Sequence, residues 1–358
     1  MPTLLAALLL AANFKEHVIA TDLKGGYQVV AADLNHDGKP DLIALGTQMS
    51  ELVWYENPNW ERHVIASGLT GMINLAIQDD QIVLAYGFSM VYANSKGIIA
   101  VLKPNGDPRQ PWSLTEIDRL PTSHRLRWAN GVVMNAPLIG PNAIAPEYRD
   151  HVPLVYYKPG EWKRTLIASD NEGVQHGITV VDWDGKGRDS ILTTSFSGID
   201  LYRYAKNQWI RTEISKGNPD PWPKSGTSDV AVGHTGKQRF LAAIEPWHGN
   251  KVVVYTEHRG QWQREEIDDS LLDAHTILTA DLDGNGRDQI VAGMRGKPYQ
   301  VLIYSNEKGH WQRQILDTGT MAAAACTAVD LNADHRVDLA CIGSATANLK
   351  WYENLARR

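Results

Sequence analysis

The sequence is poor in cysteine, in phenylalanine and in surplus basic charge. It has two Cys and four Phe in 358 residues, and 35 Lys and Arg stand against 41 Asp and Glu, a formal net charge of −6. Without a basic field there is nothing to draw the chain onto a phosphate backbone, so nucleic acid is excluded as an expected partner. Long apolar runs are also missing. The one near the start, Leu4 to Ala12, has nine residues, too short to cross a membrane but of the length found in secretory signals. Residues 1–12 therefore read as a signal peptide, with residues 13–358 as one exported domain, periplasmic or secreted. No Cys lies near this run, which excludes a lipoprotein anchor. Cys326 and Cys341 fall on what read as neighbouring strands, either as a cross-strand disulfide or as two small buried hydrophobes.

What the sequence has instead of Phe is 12 Trp and 13 Tyr, with 30 Gly and 17 Pro. This profile of amphipathic rings and turns argues against a helical protein. A hydrophobic content of 43% with 21% charged residues argues against disorder.

The rings are periodic. FKEHVIA from Phe14 recurs as WERHVIA (Trp60), WSLTEID (Trp112), WKRTLIA (Trp162), WIRTEIS (Trp209), WQREEID (Trp262) and WQRQILD (Trp311), at a mean spacing of about 50 residues. Each copy alternates with the period of a strand. Before most of them stands a second strand phrase, such as LVWYEN or VLIYS, and before that a hairpin such as Gln28 to Gly46. Four antiparallel strands in about 50 residues make one propeller blade. The expected fold is all-β, a seven-bladed propeller of four-stranded antiparallel blades. The chain ends on the third strand of its last unit, and Phe14 to Ala20 is a spare fourth. The N-terminal strand should complete that blade and close the ring. Six Trp are thus the marker of the outer strand, and Trp54 and Trp351 mark the third strand. Trp128, Trp183, Trp222 and Trp247 remain.

Acidic loops join the first two strands of several blades. Asp33, Asn35, Asp37 and Asp41, with Gly38 at the turn, place oxygen ligands on alternate residues as calcium loops do. Asp281, Asp283, Asn285 and Asp288 form a second such loop. Asp330, Asn332, Asp334 and Asp338 form a third, with His335 at the glycine position. These loops resemble those of FG-GAP or VCBS repeat propellers, and the resemblance implies that they serve folding. Tight Asx-rich turns without an ion are the alternative.

Aligning the blades on these loops places one residue six positions earlier, at the start of the innermost strand, where the strands converge on the axis. That residue is Tyr27, His124, His176, His275 or Ala324. Three imidazoles at equivalent positions suit a transition metal, zinc or manganese, so His124, His176 and His275 are the expected ligands. A metal-free acid and base cluster is the other possibility. On the same face, EPWHGN adds Glu245, Trp247 and His248. Arg125, Arg127, Trp128, Arg295 and Lys96 supply charge and an aromatic platform.

HRLRWAN, APLIG, VQHGITVVDWDGKGRD and EPWHGN are similar to phrases of the propeller domain of aldos-2-ulose dehydratases. The resemblance implies a lyase eliminating water from a keto sugar, with a metal in the axial funnel. It implies nothing about activities housed in the additional cupin-like domains of the fungal enzymes, which these seven blades do not include. Such an elimination needs an electrophile on the carbonyl oxygen, supplied by the metal, together with a base and an acid. His248 or Tyr27 would be base or acid, and Arg125 or Arg295 would hold the enolate oxygen. Trp128, Trp247, Glu245, Arg127 and Lys96 would contact the small carbohydrate substrate. The alternative is a non-catalytic propeller binding glycans or proteins on that face. A glycoside hydrolase would call for paired carboxylates.

Overall fold

The computed structural model describes residues 13–356, so the signal-peptide expectation lies outside the described residues. It contains seven four-stranded antiparallel sheets, each an up-and-down meander, arranged as the seven blades of a propeller. Blade one runs Gly26–Ala32, Asp41–Gly46, Glu51–Glu56 and Glu61–Ser67 from inner to outer strand. Blade seven takes Ala323–Val329, Asp338–Gly343 and Leu349–Asn354 from the C-terminal end and Phe14–Ala20 from the other, with Phe14 opposite Asn354. The ring closes as the repeat count requires, so no blade is left one strand short.

Strand position decides side-chain pattern. Second strands such as Asp41–Gly46 and Gln289–Met294 are buried along their whole length, because a neighbouring blade covers each face. Outer strands such as Gln208–Ser215 are mostly wet. The core is accordingly a series of layers between blades. One layer joins Leu192 and Leu201 of blade four to Val230, Leu241 and Tyr255 of blade five.

The scarcity of Phe has a structural reason. Tyr157, Tyr202, Tyr255, Tyr304 and Tyr352 are among the largest fully buried side chains, and each hydroxyl is used. Tyr157 donates to Asp118 (2.6 Å), Tyr304 to Asp268 (2.7 Å) and Tyr352 to Asp317 (2.8 Å). In each case the carboxylate ends the outer strand of one blade, and the tyrosine sits on the third strand of the next. A cation from the tyrosine's blade completes the group: Arg164 on Asp118 (2.7 Å), Arg313 on Asp268 (3.4 Å), Lys350 on Asp317 (2.9 Å). The last residue of WSLTEID, WQREEID and WQRQILD is therefore a latch onto the following blade. Phenylalanine would fill the same space and leave a buried carboxylate short of a donor.

A second latch explains the repeated WYEN. Asn57 Nδ2 donates to Leu331 O of blade seven (2.7 Å), and Asn354 Nδ2 to Leu282 O of blade six (2.6 Å). The amides of these asparagines are held by Asp41 Oδ1 (2.9 Å) and Asp338 Oδ1 (2.7 Å). Both aspartates are fully buried.

In the acidic loops the leading aspartates accept hydrogen bonds from their own turns. Asp33 takes the amides of Asp37 (3.1 Å) and Gly38 (2.9 Å), and Asp281 and Asp330 do the same four and five residues on. Asp288 caps the His234 amide of blade five at 2.7 Å. Cys326 and Cys341 lie directly opposite one another on the first two strands of blade seven and form a disulfide.

Candidate functional site

Five inner strands share one irregularity at their start. Strand pairing skips one residue in blades one, three, four, six and seven, and the skipped residues are Tyr27, His124, His176, His275 and Ala324. In blades two and five the inner strand pairs without a skip. A β-bulge re-aims the extra residue. Here it does so at the one place where the blades converge, so rings from blades remote in sequence meet edge-on or tilted. The His124 and His176 rings lie 4.9 Å apart between centroids, His176 and His275 5.2 Å, and Tyr27 and His275 5.1 Å. His248, in a left-handed backbone conformation (φ 48°) on the loop after the second strand of blade five, completes the group at 5.0 Å from His176 and 5.1 Å from His275.

The hydrogen bonds assign the tautomers. His176 Nδ1 donates to Ser228 O (3.1 Å) and His275 Nδ1 to Ala324 O (2.6 Å), each carbonyl belonging to the next blade. Both Nε2 atoms therefore carry lone pairs, and that of His275 is buried without a hydrogen-bond partner. His248 Nδ1 accepts from Arg295 (3.0 Å), so its Nε2 carries the proton and points it at His176 Nε2, 3.2 Å away. Moving that proton to Nδ1, where Asp273 Oδ1 lies 3.4 Å off, would free a third lone pair. One nitrogen from each of His176, His248 and His275 lies within 4.8 Å of the others. Tetrahedral zinc spaces its nitrogens by about 3.3 Å. Backbone carbonyls and a carboxylate on the far nitrogens are the outer partners that metal-bound imidazoles use. The donor set fits a zinc-like ion.

His124, expected from its spacing among the ligands, is placed differently. Its Nε2 meets the Tyr27 hydroxyl at 2.7 Å and Arg125 Nη1 at 3.2 Å, and it stands beside the compact trio. His124, His176 and His275 are at most 2% exposed, whereas the His248 side chain is 27% exposed. Burial first, then the charges of Arg125 or Arg295, hold all four imidazoles well below the usual histidine range. The fold therefore favours their uncharged form.

At the open end, Arg295 bridges His248 and Asp273, the latter at 2.9 Å. Trp247 packs its ring 4.6 Å from His248, and Phe88 lies 5.7 Å from His124. Tyr148, Phe196 and Trp222 extend this aromatic wall behind Trp247. Asp273, Phe88 and Tyr148 were not legible as site residues, because no repeat position marks them. The left-handed turn at Asp273 (φ 52°) becomes visible only in three dimensions.

Other expected residues are placed elsewhere. Glu245 is fully buried, and its carboxylate accepts from Tyr255, Arg264 and Thr227 within its own blade rather than facing a sugar. Trp128 is half-buried between blades two and three, about 13 Å along the strand from His124 at a rise of about 3.3 Å per residue. Arg127 is turned into the axial channel, where it donates to Asn74 at 3.1 Å. Lys96 is exposed on the rim, on the loop that its amide closes onto Gly87 O at 2.8 Å.

Comparison with known proteins gives the same outline. A family model of the aldos-2-ulose dehydratase β-propeller domain matches residues 96–258, and an FG-GAP repeat model matches residues 25–50. Aldos-2-ulose dehydratase of Phanerodontia chrysosporium is 26% identical over 248 residues, which cover 59% of this chain and 27% of that enzyme. Among solved structures, hydrazine synthase of Kuenenia stuttgartiensis superimposes with a TM-score of 0.62 at 10% identity, covering 94% of this chain and 97% of that one. The WD40 propeller of Doa1 gives 0.60 at 15% identity, with the same coverage. These last two show the fold alone. The chain is a seven-bladed, FG-GAP-containing β-propeller that resembles the propeller domain of aldos-2-ulose dehydratases.

Proposed function

We propose that the protein is a carbon–oxygen lyase that eliminates water from a keto sugar at the axial histidine cluster. The observation that carries this reading is the trio of imidazoles His176, His248 and His275, one nitrogen of each lying within 4.8 Å of the others. They would hold a divalent ion, zinc or manganese, which when bound supplies the electrophile for a carbonyl oxygen. The remaining roles fall to this chain's own groups. The Tyr27 hydroxyl, joined to neutral His124 Nε2 at 2.7 Å, takes the proton lost from the carbon next to the carbonyl as it passes its own to that nitrogen. Arg295, held by Asp273, is the donor facing solvent and steadies the oxygen that gains charge. Trp247 and Phe88 offer ring faces to the sugar. The C–H and C–O bonds break, a C=C bond forms, and the hydroxyl leaves as water with the proton that the Tyr27–His124 pair hands back. Relative to the expectation from spacing, His248 joins the ligands and His124 backs Tyr27 as the base.

Metal analysis of purified protein, followed by ultraviolet screening of 2-keto and 3-keto sugars for an unsaturated ketone, tests this reading. His176→Ala with His275→Ala should remove both bound metal and turnover, while Tyr27→Phe should keep the metal and lose turnover. Unchanged metal content and rate in the histidine variant would sink the mechanism. A protein inert to every such sugar would favour a glycan- or protein-binding propeller. We also propose calcium in the loop from Asp33 to Asp41 and, less fully liganded, in those from Asp281 and Asp330. Export is proposed too, and the Cys326–Cys341 disulfide supports it, since such bonds persist in oxidising compartments.

A further inference from the structure

Past the histidines, toward the acidic-loop face, the propeller axis holds a cavity of about 130 Å³. Tyr27, Asn74, Arg125, Arg127, Asp229 and His275 line it. Two guanidinium groups therefore share a small space with one carboxylate. Arg125 is 5% exposed, and among the described residues it hydrogen-bonds only through Nη1, to the Tyr27 hydroxyl (3.3 Å) and His124 Nε2 (3.2 Å). Arg127 likewise uses only Nη1, on Asn74 Oδ1 (3.1 Å) and Leu126 O (2.8 Å). Neither forms an ion pair among the described residues, and the Asp229 carboxylate accepts the Val230 amide (2.9 Å) instead. Burial pushes the Asp229 carboxyl up and draws Arg127 down to about 10. A buried cation without a partner is costly, and the cavity has a surplus of one.

We propose that this cavity is a binding site for one small monovalent anion of halide or carboxylate size, held between Arg125 and Arg127. A cavity of about 130 Å³ takes an acetate-sized ion, and its two guanidinium groups supply the charge. A second cavity of about 450 Å³ shares Arg127, Asp229 and Ile277 with it and reaches His234, Thr179 and Thr279. The anion thus has a route from the acidic-loop face, opposite the one a substrate would use. The same chemistry has two sources: a free ion, or the carboxylate of an acidic sugar whose ring rests in the outer cavity. The proposal does not depend on the lyase reading, because its readouts are binding and diffraction.

In chloride-free buffer at matched ionic strength, bromide and acetate should each raise the melting temperature saturably. A bromide-soaked crystal should show an anomalous peak between the two guanidinium groups. Arg127→Gln should abolish both effects. Asp229→Asn keeps the shape, removes the competing charge and should tighten bromide by at least about tenfold. Displacement of bromide by glucuronate would identify an acidic sugar as the source, and bromide binding indifferent to glucuronate a free ion. The absence of saturable binding in both the native protein and Asp229→Asn, or native affinity in a folded Arg127→Gln, would overturn the proposal.

Discussion

Tyr304→Phe isolates the latch between blades five and six. The ring is 1% exposed and keeps its packing, so the substitution removes only the hydroxyl that donates to Asp268 Oδ2 at 2.7 Å. Asp268 retains the Ser270 amide (2.8 Å), the Ser270 hydroxyl (2.6 Å) and Arg313 (3.4 Å). A hydrogen bond to a charged group contributes about 1.5–3 kcal/mol, and with three partners left the loss should be about 2 kcal/mol. An unfolding entropy of about 2 cal/mol/K per residue over the described chain makes that a fall of about 3 °C in Tm, read by scanning calorimetry. Pairing it with Asp268→Asn in a double-mutant cycle should give a coupling of at least about 1 kcal/mol. Acid should weaken the latch. Burial raises the Asp268 carboxyl, but the Ser270 and Tyr304 hydrogen bonds and the Arg313 charge outweigh it, leaving a net value below 3.8. A depressed folded value means that the stabilisation is complete above 3.8 and is lost as pH falls below it. A Tyr304→Phe protein within about 0.5 kcal/mol of the native one, with no coupling, would refute the claim that the missing Phe reflects a needed hydroxyl.

Deleting residues 14–20 should unfold the whole ring rather than one blade, since it strips the strand paired with Leu349–Asn354 and the Glu16 partner of buried Lys350; a truncated protein of native Tm would break the closure argument. Asn354→Ala should cost about 2–4 kcal/mol by leaving the Leu282 and Val337 carbonyls unpaired, and urea midpoints measure it. With chelator present, stability should fall as pH drops below the unfolded histidine value of about 6.5, because all four depressed imidazoles resist protonation in the fold. The loss is at most about 1.4 kcal/mol per histidine at pH 5.5. Asp41, raised to about 6 chiefly by burial, opposes this in part, and a flat urea midpoint between pH 7.5 and 5.5 would contradict neutral burial of the cluster. Calcium should raise the Tm of the native protein by more than that of Asp33→Asn, which keeps only the two less fully liganded loops; equal shifts in a thermal-shift titration would contradict calcium at Asp33.

Much of this molecule is local in sequence. The phrase beginning at Trp262 repeats because six outer strands start on the same ring, and three of them end on the carboxylate that latches the next blade. A single copy already carries the strand period, and seven copies carry the architecture. The spare strand at Phe14 follows by counting. Tyr27, His124, His176 and His275 were also legible, since a fixed offset from an acidic loop is preserved whenever the blades are alike.

Where the blades stop being alike, the offset says nothing. Glu245 stands beside the loop of His248, yet Tyr255 and Arg264 claim its carboxylate inside the blade. Trp128 stands four residues from His124, yet strand rise carries it away. His248 joins the trio through a loop with no counterpart in the other blades, and Asp273 and Arg295 meet it from the next blade. The repeat determined the seven blades, the closure of the ring and the circle of axial positions, because those depend on periodic burial and pairing. Only the tertiary structure decided which three nitrogens converge and which two arginines share a cavity with one aspartate, because those depend on distances of a few ångströms between blades remote in sequence.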